Sequence, residues 1–282
     1  MHPLLFEHPP ITAYGAMIVI GIVAAWLLAR HLGRRVGIAP HFIDVLLPLL
    51  TAAGLIGAWL FGWFSDRTTT DHVHGSVLFG ALLVATIAGI GAALLNRVPL
   101  GKLGDALAAP VMLGVAFGRI GCFFAGCCYG RVCDSSMLIS VSFPRNSFAW
   151  AHQLQRGQIL EIAATSLPVY PTQLFESAAA LLIALLLLAG IPRRRISGEI
   201  FLHMAILYAA SRFALEVFRA DNPAIALGFT FSQLTCMGVL ALAGVTFVVR
   251  RRYADRWHLR LEAGGDRTGA PCVASEQSID GA

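Results

Sequence analysis

The sequence predicts an all-α membrane protein, with seven transmembrane helices and an extracytoplasmic arm or lid between helices four and five. Hydrophobic residues make up 57% of the 282 residues and charged residues only 13%, and the mean hydropathy is +0.70, values far from those of soluble domains. Apolar runs of about 20 residues, the length that crosses a bilayer, recur along the chain. The basic residues lie in short clusters between these runs, so the net charge of +5 indicates membrane topology rather than nucleic-acid binding.

Seven helices follow from a hydropathy window of about 19 residues. They are predicted at Ile11 to Ala29, Phe42 to Phe64, Ser76 to Leu95, Leu103 to Tyr129, Thr172 to Gly190, Glu199 to Phe218 and Phe229 to Val249. The opening segment MHPLLFEHPP lacks the basic region of a secretory signal peptide, so we expect the first helix to remain in the mature protein.

The distribution of basic residues predicts the orientation. Connections one, three and five and the C-terminal segment carry most of the arginines, in clusters such as Arg193 to Arg195 and Arg250 to Arg252. Positive residues favour the cytoplasm, so the N-terminus is expected outside and the C-terminus inside. We expect a membrane domain over residues 1–260 and, because Leu261 to Ala282 is small, polar and glycine-rich, a disordered tail over residues 261–282.

The connection between Gly130 and Pro171, about 40 residues long, is too long for a simple turn. It contains Phe148, Trp150 and Ile159, enough apolar surface to fold against the membrane face. We therefore predict a lid or a substrate-binding arm at about residues 130–171.

Charged residues inside apolar segments are the first candidates for a site. Arg119 lies in the stretch GRIGCFFAGCCYGR, and a charge at the bilayer centre costs on the order of 3 kcal/mol, so it should face a protein interior or a polar cavity. Arg212 and Glu216 are four residues apart and can pair, and Arg219 follows three residues later. The alternative is an ion pair that only fixes helix packing. Several arginines near one surface suit a phosphate, since guanidinium donates in bidentate fashion, and in a membrane that phosphate belongs to a lipid head group.

Three further polar residues lie at predicted helix ends. In YPTQLFES, Gln173 and Glu176 are three residues apart and share one helix face. Each either lines a site or only caps the helix and holds the neighbouring loop. Tyr14 lies near the outer end of the first helix, where an interfacial aromatic anchor is the alternative to a site residue.

Four cysteines cluster near the predicted outer face: Cys122, Cys127, Cys128 and Cys133. Their spacing, C-x4-C-C-x4-C, is neither C-x-x-C nor a standard zinc pattern, so no metal is predicted. Cys127 and Cys128, adjacent on a helix, would point in different directions, which argues against a mutual disulfide. Cys122 is interpreted as a small packing residue, and a disulfide from Cys133 to Cys127 or Cys128 stays open.

With these residues in hand, the chain resembles the prolipoprotein diacylglyceryl transferase family. GRIGCFFAGCCYGR resembles its GRIGNF-x-NGE-x-x-GR signature, YPTQLFE its HPSQLYE segment and SRFALEVFRAD its RF-x-x-E-x-FR segment. FSQ at Phe231 to Gln233 is similar to the GQ motif of its last helix, and AYGAM at Ala13 to Met17 resembles the WYG-like motif of its first helix. The motifs keep the family order over nearly the whole chain.

The resemblance implies an enzyme of lipoprotein biosynthesis in the bacterial inner membrane. Such an enzyme transfers a diacylglyceryl group from phosphatidylglycerol to the thiol of a lipobox cysteine in a prolipoprotein, a protein modification for which no cofactor is expected. By the same resemblance Arg119 and Arg212 contact the lipid phosphate, Glu216 holds Arg212, and Tyr14 has a catalytic role. The expected substrate-binding positions are Arg119, Gly121, Cys122, Gly126, Arg131, Gln173, Glu176 and Arg219.

The chain departs from the family pattern at residues that matter for chemistry. Two signature asparagines are Cys122 and Ala125 here, and the signature glutamate is Cys127. The histidine of the third helix is Phe79, with His74 a displaced substitute. The proton acceptor therefore stays open among Tyr14, Glu176 and His74.

Three other readings stay open beside the standard transferase. Because of these departures, one is a paralogue on the same scaffold that uses another acceptor or lipid. Another is a membrane thiol oxidoreductase working through Cys127, Cys128 and Cys133, against which the missing C-x-x-C arrangement argues. The third is a non-catalytic lipid-binding or transport protein, although no internal repeat of the kind many transporters have is visible.

Overall fold

Eight α-helices make up most of the described chain. The computed structural model describes residues 4–6, 11–68, 74–134, 137, 139–219, 224–226 and 228–265, with backbone only at residues 4–6, 11, 65–68, 74–79, 224–226 and 254–265. The helices are α1 (Ala13–Arg35), α2 (Pro40–Thr68), α3 (His74–Leu95), α4 (Leu100–Ala125), α5 (Phe148–Gln155), α6 (Thr172–Gly190), α7 (Glu199–Leu215) and α8 (Phe231–Gly265). Two antiparallel strand pairs complete the fold, β1 (Leu4–Phe6) with β2 (Ile11–Thr12) and β3 (Ala224–Ala226) with β4 (Phe229–Thr230).

Six helices in the described residues are long and apolar enough to cross a membrane. They are Ala13–Arg35, Pro40–Phe64, Leu100–Ala125, Thr172–Arg193, Glu199–Phe218 and Phe231–Tyr253. The seventh predicted crossing corresponds to α3, whose described apolar part, Gly80–Leu95, is shorter. The protein is therefore an all-helical, multi-pass membrane protein, and the prediction of a seventh crossing stays a prediction.

Helix α4 ends four residues earlier than the sequence predicted. Gly126 adopts a left-handed conformation (φ 72°), and the N–H of Cys127 donates to the carbonyl of Cys122 at 3.1 Å. This is the arrangement by which a glycine terminates a helix, because a left-handed backbone costs glycine little. Cys127 and Cys128 thus lie in a loop, not on the helix to which the sequence analysis assigned them.

Close helix contacts hold the bundle together. Helix α1 packs on α4, α2 on α3, and α6 and α7 on α4. At Gly21 of α1 a methyl group would lie 2.9 Å from Cβ of Phe117 on α4, so only glycine permits this approach. One core cluster includes Ala29, Ile43 and Leu46. The contacts place the C-terminal end of α4 beside the N-terminal ends of α1 and α6.

The arm between α4 and α6 folds as a small unit of its own. Val169 bridges both Val132 and Val141 in antiparallel fashion. Ser147 caps the N-terminus of α5, and its hydroxyl accepts a hydrogen bond from the N–H of Trp150. Phe143 is 1% exposed and packs with Val169 and other apolar side chains. The arm has an apolar core of its own, and its predicted folding against the membrane face stays a prediction. Its role as a lid stays a prediction.

The predicted disordered tail lies mostly outside the described residues. Helix α8 continues to Gly265, and residues 266–282 are outside the described ranges.

Candidate active site

Three arginines from two helices and the segment after α7 converge on one carboxylate. Glu176, in the second turn of α6, pairs through Oε2 with Nε of Arg119 at 2.5 Å. Its Oε1 accepts a hydrogen bond from Nη1 of Arg219 at 3.1 Å and lies 3.7 Å from Nη1 of Arg212. Residues that are 57 positions apart in sequence, Arg119 and Glu176, thereby share one site with the two C-terminal arginines. The structure brings together the charged residues that the sequence singled out.

This cluster is buried and carries an excess of positive charge. The side chains of Arg119, Arg212 and Arg219 are 17%, 15% and 9% exposed, and that of Glu176 is 7% exposed. Glu216 is the second carboxylate of the cluster, at 1%. Three guanidiniums against two carboxylates leave one positive charge over. In a site of low dielectric such an excess attracts an anion strongly.

Glu216 holds Arg212 and is itself held by the start of α8. Nη1 of Arg212 lies 2.7 Å from Oε2 of Glu216, the predicted pairing at i, i+4. The hydroxyl of Thr230 donates to Oε1 of Glu216 at 2.8 Å, and Nη2 of Arg212 donates to the hydroxyl of Ser232 at 3.4 Å. Arg212 is therefore oriented from two sides, which favours a single position for its guanidinium.

Thr230 and Ser232 are two positions that the sequence analysis missed. Thr230 caps α8: its N–H donates to Oε1 of Gln233 at 3.0 Å, and its hydroxyl accepts the N–H of Gln233 at 3.2 Å. This is a capping box. The T-x-x-Q spacing in the sequence is the signal by which Thr230 could have been found.

Gln173 and Thr172 anchor the loop that follows α4. Gln173 is fully buried, and its Nε2 donates to the carbonyl of Cys127 at 2.7 Å. The hydroxyl of Thr172 donates to the carbonyl of Cys128 at 3.0 Å. Oε1 of Gln173 has no hydrogen-bond partner among the described residues. Of the two interpretations of Gln173, the structure shows the loop-holding contact, and it leaves one buried acceptor on the same side chain.

The end of the same loop is hydrogen-bonded to the residues just before α6 and to the segment after α7. The N–H of Gly130 donates to the carbonyl of Tyr170 at 2.9 Å, and the N–H of Arg131 donates to that of Phe218 at 2.8 Å. A methyl group on Gly130 would lie 2.6 Å from the carbonyl oxygen of Phe218, so this position requires glycine. Arg131 is exposed, and its Nε donates to the carbonyl of Arg219 at 3.0 Å, which places it at the rim of the cluster.

Three thiols lie together beside the arginines. The Sγ atoms of Cys122, Cys127 and Cys128 are all within 4.8 Å of one another and are half-buried. The prediction that Cys127 and Cys128 point in different directions was wrong, because α4 ends before them. Cys122 belongs to this group of thiols, and its interpretation as a packing residue stays an interpretation. All three cysteines are free, and so is Cys133, which forms no disulfide with Cys127 or Cys128.

Charge and hydrogen bonding favour a thiolate in this group. Hydrogen bonds from Cys122 and Cys127, and then the positive charges of Arg119 and Arg219, lower the pKa of the Cys128 thiol below its ordinary value. Hydrogen bonds with Cys122 and Cys128, followed by burial, raise the pKa of the Cys127 thiol. Cys128 is therefore the thiol of this group that loses its proton most readily.

The remaining predicted residues lie around this group or outside the described side chains. A methyl group on Gly121 would lie 3.2 Å from Cδ2 of Tyr14, so Tyr14 packs against α4 one residue from Cys122. Gly126 packs closely on Phe143 of the arm. His74 begins α3, but its side chain, like that of Phe79, falls outside what the structure describes. The catalytic role of His74 therefore stays a prediction.

Two cavities differ in their relation to this cluster. A small one is lined by Glu176, Arg212, Tyr208 and Ser211 among others. A larger one, of about 750 Å³, lies at the opposite end of the bundle and is lined mostly by apolar residues, with Lys102 and Arg97 at its edge. We assign the candidate site to the charged cluster, because size alone does not supply convergent polar groups.

Comparison with known proteins identifies the family to which the chain is similar. The family described as prolipoprotein diacylglyceryl transferase matches residues 3–250. A phosphatidylglycerol--prolipoprotein diacylglyceryl transferase of Rhizobium meliloti is 30% identical, over 89% of this chain and 92% of that protein. Proteins with the same name from Symbiobacterium thermophilum (28% identical, 91% and 92% covered) and Clostridium tetani (29% identical, 78% and 86% covered) are also similar.

Proposed function

The chain belongs to the prolipoprotein diacylglyceryl transferase family, and from that premise we propose a transfer reaction at the arginine cluster. As a member of this family it is a transferase of lipoprotein biosynthesis. Its lipid substrate is phosphatidylglycerol and its protein substrate a prolipoprotein, as in the names of its relatives. The acceptor atom in our proposal is the thiol of a lipobox cysteine.

The observation that carries the proposal is the convergence of Arg119, Arg212 and Arg219 on Glu176. The single positive charge in excess matches the single negative charge of a phosphodiester. Arg119 uses only Nε for Glu176 among the described residues, which leaves its terminal nitrogens for phosphate oxygens. Bidentate donors of this kind are the usual protein ligands of phosphate.

The proposed step is a displacement at carbon. The acceptor cysteine loses its thiol proton to water, and its sulfur then attacks the glycerol carbon that bears the phosphate ester. The carbon–sulfur bond forms as the carbon–oxygen bond breaks, and its electron pair leaves with glycerol phosphate. Charge grows on that phosphate as it departs, and preorganised guanidiniums stabilise it. Glu176 and Glu216 are both paired with arginines, so we assign neither of them as the proton acceptor.

The orientation of the protein in the membrane is part of the same proposal. We place the arginine cluster near the outer leaflet of the bacterial inner membrane, with the N-terminus outside, the C-terminus cytoplasmic and α3 as a seventh crossing. The arm between α4 and α6 would then cover the cluster from the outside and receive the lipobox segment. The clustering of basic residues at the other ends of the helices supports this orientation.

The test is transfer of labelled diacylglycerol from phosphatidylglycerol to a lipobox peptide by the purified protein. Arg119→Ala and Arg212→Ala should each lower the rate by about 100- to 1000-fold, the usual cost of a lost transition-state donor. Arg30→Ala is the matched control, because Arg30 pairs with Asp44 at the opposite end of the bundle. Its rate should stay within about twofold of the original.

Unchanged transfer in either site variant would refute the phosphate role. Complementation of a transferase-depleted bacterium separates the paralogue alternative. Rescue supports the standard reaction, whereas failure of a membrane-inserted protein to rescue indicates another acceptor or lipid.

A further inference from the structure

The three thiols beside the arginine cluster form a group that the phosphate mechanism does not use. Cys122 lies in the last turn of α4, and Cys127 and Cys128 follow the Gly126 cap. Their Sγ atoms are within 4.8 Å of one another, although the chain forms no disulfide among them. Three free thiols at this spacing are a donor set for a soft metal ion.

The backbone is built to bring these thiols together. After Gly126, Cys128 also adopts a left-handed conformation (φ 57°), which non-glycine residues rarely take. Hydrogen bonds from Gln173 to the carbonyl of Cys127 and from Thr172 to that of Cys128 hold this turn against α6. Strain retained at a turn that is fixed from outside is characteristic of functional sites.

The geometry suits zinc with one exchangeable position. At a zinc–sulfur distance of about 2.3 Å, sulfurs in a tetrahedral site are about 3.8 Å apart, so the thiols need to close by about 1 Å at most. The group contains three ligands and no fourth histidine, cysteine or carboxylate within the described residues. Zinc sites with three protein ligands are typically catalytic, and their fourth position takes water or substrate.

The electrostatics agree with this assignment. Zinc with three thiolates carries one negative charge. The arginine cluster beside the thiols, which has one positive charge in excess, offsets that charge.

We propose that Cys122, Cys127 and Cys128 bind one Zn²⁺ and that its fourth position takes the thiol of the acceptor cysteine as a thiolate. This role of the metal rests on the proposed transfer reaction. The thiol loses its proton to water on coordination. The sulfur then attacks the glycerol carbon of the lipid, the carbon–sulfur bond forms, and the electron pair of the carbon–oxygen bond leaves with glycerol phosphate. No oxidant or reductant takes part.

The first experiment measures zinc in the full-length protein, purified in detergent and equilibrated with Zn²⁺. One zinc per chain is expected, with binding at least about tenfold weaker in Cys122→Ser, Cys127→Ser and Cys128→Ser. Cys133→Ser is the matched control and should bind like the original protein. A protein without zinc, or one whose zinc survives all three replacements, would overturn the site. So would a disulfide between two of the three cysteines, detected by thiol alkylation in intact membranes.

The second experiment tests the fourth position without measuring activity. The protein is loaded with Co²⁺, whose thiolate charge-transfer absorption grows with each added sulfur ligand. A lipobox peptide should increase this absorption by about one third, since three sulfurs become four, and the same peptide with serine in place of its cysteine should not. Equal spectra with the two peptides would rule out binding of the acceptor thiol to the metal.

The transfer assay separates this inference from the proposed function. If the triple serine variant lacks zinc but transfers diacylglycerol at the original rate, the catalytic zinc is refuted and the transferase stands. If the cobalt spectrum responds to the cysteine peptide but no lipid is transferred, the metal site stands and the proposed reaction fails.

Discussion

Two buried carboxylates on neighbouring helices of the bundle are satisfied in different ways. Asp105, near the start of α4, is 2% exposed and accepts the backbone N–H groups of Gly198, Ile200 and Phe201 besides pairing with Arg194. Glu176, near the other end of α4, is surrounded by guanidiniums alone among the contacts that the structure gives for its side chain. Asp105 and Arg119 are about 21 Å apart along the helix.

In our proposal this difference separates a structural carboxylate from a functional one. Asp105 satisfies backbone donors at the N-terminus of α7, which its negative charge also stabilises, so its lone pairs are used for folding. Glu176 pairs with three cations, and Arg119 uses only its Nε for this pairing among the described residues. A carboxylate bound to the backbone fixes a helix, whereas one bound to several arginines prepares them for a further anion. Replacing each carboxylate should therefore affect different measurements.

The largest effect is expected for Glu176→Gln. The three guanidiniums lose their common anion and repel one another, and breaking such a buried pair costs about 3 kcal/mol or more. We expect the transfer rate to fall at least about 100-fold, with binding of phosphatidylglycerol measured in parallel. A transfer rate within about threefold of the original would remove Glu176 from the site.

Asp105→Asn should show the opposite pattern. The amide cannot accept all the hydrogen bonds now made to the carboxylate, so unfolding in detergent should require about 1–3 kcal/mol less free energy. Transfer per folded molecule should stay within about twofold of the original. If transfer per folded molecule falls at least about tenfold, Asp105 is not purely structural, and the distinction between the two carboxylates is wrong.

Gly130→Ala tests the close contact between the loop that follows α4 and the segment after α7. The added methyl would meet the carbonyl oxygen of Phe218 at 2.6 Å, and such overpacking costs about 1–3 kcal/mol. We expect lower thermal stability together with slower transfer. Gly91→Ala is the control, since a methyl there meets nothing within 4 Å, and its melting temperature should not fall.

The smallest effect is expected for Gln233→Ala. The change removes the side chain that accepts the N–H of Thr230, and loss of a helix cap costs about 1 kcal/mol. Because Thr230 also holds Glu216, we expect a small loss of stability and a rise in KM for the lipid rather than a fall in kcat. An unchanged KM would limit the capping box to a structural role.

Much of this fold was predictable because apolar run length and charge are local properties. The bounds Thr172–Gly190 of α6 agree with the prediction, and the pairing of Arg212 with Glu216 follows from helical spacing. The end of α4 was predicted wrongly, because continuous hydropathy through Cys122 hid the glycine that stops the helix. Hydropathy does not register a left-handed Gly126.

The role of Glu176 and the meeting of the thiols could not be read from the sequence alone. Both depend on tertiary contacts between α4, α6 and the segment after α7. Spacing predicts which residues share one helix face, but it does not state which helices meet. Thr230 was accessible through its capping pattern and was missed. Gln173 was placed in the right region, with its partner, the carbonyl of Cys127, set by the fold.

The two ends of the arm meet side by side, since Gly130 and Tyr170 bond to each other and Tyr170 also donates to the carbonyl of Arg131. The distance that separates α4 from α6 is thus independent of how many residues the arm contains. Insertions or deletions at its far edge can therefore change the surface of the arm while the charged cluster keeps its place. If the arm receives the lipobox segment, as we propose, evolution can in this way change which prolipoproteins bind without changing the reaction.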